Sequence, residues 1–123
     1  MTVRGLRGAT TAESNTKPAI AQATRELLEA LARENGFAPG DVAAAFFTAT
    51  PDLDAGFPAT TARVDIGWST AALMDLQQMH VQGDVPRCIR ALILLNTDKP
   101  PEELKPVYLR GAKNLRSRDA EAR

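Results

Sequence analysis

Apolar Val3, Leu6 and Ala9 are interleaved with Arg4, Arg7 and Thr10 at the start of the chain. This reads as a strand over residues 1–11, loosened by Gly5 and Gly8. The period then changes. Ile20, Ala23, Leu27, Leu28 and Leu31 fall on one face at helical spacing, with Arg25, Glu26, Glu29 and Arg33 mostly on the other. Asn15 or Thr16 can cap this helix, Pro18 fits its first turn, and Asn35-Gly36 ends it. Its expected task is to cover a sheet.

Val42 to Thr50 is an apolar run read as a strand, with a short helix competing because of its alanines. Pro58 opens a short helix over residues 59–66 that Gly67 ends. Trp68 to Leu76 reads as another strand, followed by an irregular crossing that turns at Gly83-Asp84. Arg87 to Asn96 is nearly continuous in apolar residues and reads as a strand buried on both faces. Residues 105–109 are short and extended, and residues 111–118 form a basic last segment. The expected class is α+β: a mixed β-sheet with one long helix on one face. One helix cannot cover both faces of four or five strands. The pattern therefore predicts a symmetric homo-oligomer that buries the other face.

Composition narrows the class of function. With 123 residues, one domain is expected, over residues 1–116, with 117–123 a polar C-terminal tail. Fifteen basic and fifteen acidic residues cancel, which argues against nucleic-acid and membrane-surface partners. No apolar run reaches the ~18 residues of a membrane span, and the start lacks a signal-peptide core, so a cytoplasmic location is expected. Cys88 is the only cysteine and His80 the only histidine, too few to build a metal site. His80 reads as a surface or interface residue, and Cys88 as a small core residue rather than a nucleophile.

Arginine remains. Arg7, Arg63, Arg90 and Arg116 each stand beside apolar or small residues rather than in a charge run. An arginine near the start of a buried strand is costly unless an anion meets it. With Tyr108, these residues could line a pocket for a small polyanion, held by bidentate contacts. They could equally be surface arginines in loose ion pairs.

The ordered motifs Arg4-Gly-Leu-Arg-Gly-Ala-Thr-Thr, Thr48-Ala-Thr-Pro-Asp-Leu, Phe57-Pro-Ala, Arg87-Cys-Ile-Arg90, Asn96-Thr-Asp, Val107-Tyr-Leu and Leu115-Arg116 span nearly the whole chain. Together they resemble the AroH-type monofunctional chorismate mutases. The resemblance implies a homotrimer with a pseudo α/β-barrel, sites in clefts between neighbouring subunits, and no cofactor or metal. The implied reaction is the Claisen rearrangement of chorismate to prephenate, toward phenylalanine and tyrosine. By the resemblance, Arg90 meets the ether oxygen as the C–O bond breaks. Arg7 and Tyr108 bind the side-chain carboxylate. Phe57, Ala59, Leu73 and Met74 form the wall, and Arg63, Leu115 and Arg116 close the mouth.

The chain departs from the family pattern at several of these positions. Thr60 stands where lysine is common, and Met74 where a small polar residue is usual. Gln78 replaces an expected carboxylate, and Asp75 an expected cysteine. The expectation is that Asp75 takes over the missing carboxylate's role while Gln78 offers a neutral hydrogen bond. Rival readings are a non-catalytic trimeric binder of small carboxylates and, by fold analogy alone, an imine-hydrolysing trimer.

Overall fold

The computed structural model describes residues 2–115. Five strands and two helices follow in the order β1 (Val3–Thr11), α1 (Lys17–Asn35), β2 (Val42–Ala49), α2 (Pro58–Val64), β3 (Ala72–Gln77), β4 (Cys88–Asn96) and β5 (Val107–Tyr108). They form one mixed sheet in the order β3-β2-β4-β1-β5. The central β2, β4 and β1 are antiparallel neighbours, while β3 and β5 add to the edges in parallel.

The long helix forms where its periodicity places it. Thr16 is the cap, its hydroxyl accepting from the Ala19 N–H at 3.2 Å. Gly36 ends the helix at φ 63°, where its N–H reaches the Ala32 carbonyl at 2.7 Å. Left-handed backbone of this kind suits glycine, which has no Cβ to clash. The buried stripe Ile20, Ala23, Leu27, Leu28 and Leu31 contains the apolar positions read from spacing. Leu27, Leu28 and Leu31 pack on Leu6, Ala45, Phe47, Ala91, Ile93 and Leu95 of the sheet. Burying each large side chain of this kind contributes roughly 1.5–3 kcal/mol. A Cβ at Gly8 would come within 3.0 Å of Leu27, Leu31 and the Val107 carbonyl, so only glycine lets helix and β5 approach there.

Two expectations needed correction. Trp68 is not in a strand: it is 1% exposed in the core, its ring 6.1 Å from Phe37. Gly67, at φ 85°, turns the chain so that the Trp68 N–H bonds the Ala62 carbonyl, and β3 starts only at Ala72. Nor is β4 buried on both faces in one chain. Ile89, Ala91, Ile93 and Leu95 are buried under α1, while Leu92 on the other face is 43% exposed. Composition could not separate these faces, because leucine occupies both. Met74 and Leu76 are likewise exposed on β3, so the uncovered side of the sheet is largely apolar.

Candidate active site

Strand register decides which site residues meet. Arg90 lies opposite Ala9 on one side and Thr48 on the other, and Ala9 lies opposite Tyr108. Tyr108, Ala9, Arg90, Thr48 and Leu76 thus form one row across the sheet. The next row is Arg7, Leu92, Phe46 and Met74. Both rows face away from α1, because paired residues share a face and their neighbours Ile93, Ala91 and Phe47 are under the helix. Leu115 joins this side, packing with Ala9, Ala112, Val85 and Tyr108.

Arg90 is the centre of the open face. Its Nη2 lies 3.5 Å from Asp84 Oδ2, a long ion pair. Its Nε is buried and has no hydrogen-bond partner among the described residues, although the guanidinium also interacts with the neighbouring Cys88 thiol. A buried donor left unpaired is rare in folded proteins and calls for a reason. Gln78 Nε2 donates to the same Asp84 oxygen at 2.9 Å, and the Thr48 hydroxyl donates to Gln78 Oε1 at 3.2 Å. Gln78, Asp84 and Arg90 line a cavity of about 340 Å³ with Met79, Val81 and Gln82. Cys88 lies in the same strand, fully buried. Burial pushes its thiol pKa up, against the opposing pull of Arg90.

The start of β4 is held firmly, which fixes where Arg90 emerges. Arg87, at φ 49°, donates its N–H to Asp52 Oδ2 at 2.9 Å and its Nε to the Ala12 carbonyl at 3.0 Å. The Cys88 N–H bonds the Thr50 hydroxyl at 2.9 Å. Burial pushes the Asp52 carboxyl up, but the Thr50 hydroxyl and the Arg87 N–H outweigh it, and its pKa is lowered.

A second group of residues surrounds α2, on the other side of the sheet. Asp75 pairs in register with Phe47 of the covered face, and its Oδ1 accepts from the Ala59 N–H at 3.0 Å. Burial raises the Asp75 pKa, only partly offset by that bond. Phe57 is 69% exposed just before α2, and Thr60 and Arg63 are exposed on it. Leu73 is half-buried against the core. Phe57, Thr60, Asp75 and Leu76 line a cleft of about 720 Å³. The loop before it is pinned by Asn15, which reads as a helix cap in the sequence. Its side chain instead bonds Asp54 Oδ1 at 2.7 Å and the Asp54 N–H at 3.0 Å.

One chain therefore brings Gln78 and Arg90 together, with Arg7, Tyr108, Met74 and Leu115 on the same face. It does not bring them to Asp75, Phe57, Ala59, Thr60, Arg63 or Leu73. Arg116 and the polar tail lie outside the described residues. Sequence reasoning passed over Asp84 and Thr48. Asp84 was read only as a turn residue, and the signal for it is an acid in the turn leading into an arginine-bearing strand. Among the described residues, no three His, Cys, Asp or Glu side chains group to hold a metal, and no helix is long and apolar enough to cross a membrane.

A half-buried arginine whose buried Nε has no partner among the described residues stands beside a small cavity on an open sheet face. Comparison with known proteins names the family. The model described as chorismate mutase type I matches residues 3–119. The chain belongs to that family, and by this membership it is an isomerase. It is 47% identical over 115 residues to a Thermus thermophilus protein named chorismate mutase AroH, covering 93% of each. A Bacillus subtilis protein of the same name is 42% identical over 109 residues, covering 89% of this chain and 86% of its own length. A solved chorismate mutase from Clostridium thermocellum superposes with a TM-score of 0.87 at 44% identity, covering 89% of this chain and 97% of its own.

Proposed function

We propose that the chain rearranges chorismate to prephenate in clefts between the subunits of a homotrimer with a pseudo α/β-barrel. The rearrangement is intramolecular, so it needs no nucleophile, base, cofactor or metal. It needs the folded conformer of the substrate to be held and charge to be stabilised as the C–O bond breaks. Negative charge grows on the ether oxygen. The Arg90 guanidinium meets it, as a preorganised donor in a site that excludes water. Arg7 and Tyr108 bind the side-chain carboxylate from the same open face.

The neighbouring subunit supplies the other half. Phe57, Ala59 and Leu73 form the wall, Met74 joins it from the Arg90 face of the sheet, and Arg63, Leu115 and Arg116 close the mouth near the ring carboxylate. Thr60 makes that wall less cationic than a lysine would. Asp75 accepts a hydrogen bond from the substrate hydroxyl and balances positive charge on the ring, while Gln78, beside Arg90 in the first subunit, offers a neutral hydrogen bond. Two features support assembly across subunits: the site residues fall on opposite sides of one sheet, and the open face exposes Met74, Leu76 and Leu92. The same reading places the enzyme in the cytoplasm, in the branch toward phenylalanine and tyrosine.

The observation that carries the chemistry is the Arg90 Nε, buried and unpartnered in a strand. Such a donor is expensive unless something anionic arrives to take it. The test is direct. Incubated with chorismate, the protein should consume it and form prephenate, followed by NMR. Chorismate that binds but persists at the uncatalysed rate would leave only a binding protein.

A further inference from the structure

We propose that Asp84 is the positioning residue for Arg90, acting as the charged end of a side-chain relay that runs Thr48–Gln78–Asp84–Arg90. The kinetic part of this inference rests on the chorismate reading; the geometric part does not.

An arginine side chain has several rotatable bonds and presents its donors in a rigid fork. To act on a developing charge, that fork must already point the right way. Asp84 touches one edge of it, at Nη2, and leaves Nε unpaired. Asp84 is itself well held. Its Oδ1 accepts from the Val85 N–H at 2.8 Å, which fixes the carboxylate at the turn. Its Oδ2 accepts from Gln78 at 2.9 Å. Gln78 is only 8% exposed, and its backbone N–H is tied to the Ala49 carbonyl at 2.9 Å. Its Oε1 takes the Thr48 hydroxyl at 3.2 Å, and Thr48 lies directly across the ladder from Arg90. The relay therefore starts and ends on paired positions of two neighbouring strands.

The direction of the relay explains the carboxamide at position 78. That side chain must accept from Thr48 and donate to Asp84 at the same time, which an amide can do and a carboxylate cannot. Glutamate there would set two carboxylates against each other, and one would have to hold a proton. The negative charge beside Arg90 within a chain thus belongs to Asp84. Asp75 faces the other side of the sheet and cannot serve this purpose in the same subunit.

The pair can be inverted. Asp84→Asn removes the charge but keeps an oxygen for the Val85 N–H. Gln78→Glu alone creates the carboxylate clash. The double variant Gln78→Glu/Asp84→Asn rebuilds one amide–carboxylate hydrogen bond with the charge moved to position 78, but it turns the new amide NH2 toward Arg90 Nη2 and leaves the guanidinium unheld. Two readouts are needed: kcat and KM on chorismate, and the NMR signal of the Arg90 Nε–H, assigned by its loss in Arg90→Lys. Each single variant should lower kcat on the order of tenfold, with a smaller change in KM. Each should also broaden the Arg90 signal. The double should stay about as slow as Asp84→Asn and keep a broadened signal, because an amide NH2 then faces Arg90 Nη2 where the carboxylate oxygen stood.

A double variant with wild-type kcat, or Asp84→Asn with wild-type kcat and an unchanged Arg90 signal, overturns the inference. If the wild type does not turn over chorismate, the Arg90 signal alone decides. Loss in the singles and in the double would keep the relay and remove the substrate. Normal turnover with no change in any variant would keep the substrate and remove the relay.

Discussion

The two faces of the sheet are built from the same strands and do different work. On β4, Ile89, Ala91, Ile93 and Leu95 point under α1 and are almost fully buried. Between them, Arg90, Leu92 and Leu94 point the other way and are only partly covered. The covered face packs its apolar groups against apolar partners within one chain, leaving only a neutral group, the Thr10 hydroxyl, buried without a partner among the described residues. The open face is incomplete: it holds exposed leucine and methionine and a charged arginine whose buried N–H has no partner among the described residues. Stability lives mainly on the first face. The second holds surface that a single chain does not satisfy, where a neighbouring subunit and a substrate are proposed to come.

Substitutions can separate the faces. Phe47→Ala, on the covered side, should cost about 3–5 kcal/mol of unfolding free energy, measured by denaturant titration. Arg90→Ala should lower kcat by roughly 10²–10³ while leaving the thermal midpoint close to wild type, because the lost side chain had an unsatisfied donor. An Arg90→Ala change confined to KM would remove Arg90 from the transition state. A loss of stability there as large as that of Phe47→Ala would erase the distinction between the faces.

Asp75 provides a smaller, pH-dependent test. Burial raises its pKa, so the folded protein holds this proton more tightly than the unfolded chain does. Stability therefore falls as pH rises from the ordinary carboxylate range through the raised value, and is level above it. Asp75→Asn keeps an oxygen for the Ala59 N–H. It should match the wild-type Tm near pH ~3 and exceed it near pH ~7 by a few degrees at most. Its kcat/KM should fall if the carboxylate serves the substrate. An unchanged value would show that the hydroxyl of chorismate does not need it.

Much of this arrangement was legible in the residues. The helical period from Ile20 to Leu31 and the flanking Thr16 and Gly36 fixed α1, because spacing and capping are local properties. The single long helix pointed to an uncovered sheet face. Arg90 stood out because a charge in an apolar strand demands a partner. What spacing could not supply was tertiary. Trp68 has the composition of a strand residue, yet the Gly67 turn carries it into the core. Asn15 looks like a cap, yet it ties down a loop almost forty residues later. Asp75 and Gln78 are three positions apart, and only the β3 register and the end of that strand put them on different sides. Asp84 is six residues before Arg90, and nothing but the turn geometry reveals that its carboxylate reaches both Gln78 and the guanidinium.

The central claim is that each site takes Arg90 from one subunit and the α2 wall from its neighbour. Subunit mixing tests it most directly. Arg90→Ala removes one half, and Ala59→Trp blocks the other by filling the wall beside Asp75. Each variant alone should be nearly inactive. Unfolded together and refolded as mixed trimers, they should recover about a quarter of wild-type activity, since random assortment leaves that share of sites with both halves intact. Mixed trimers that stay as inactive as either parent would contradict the account, placing both residues in a site within one chain.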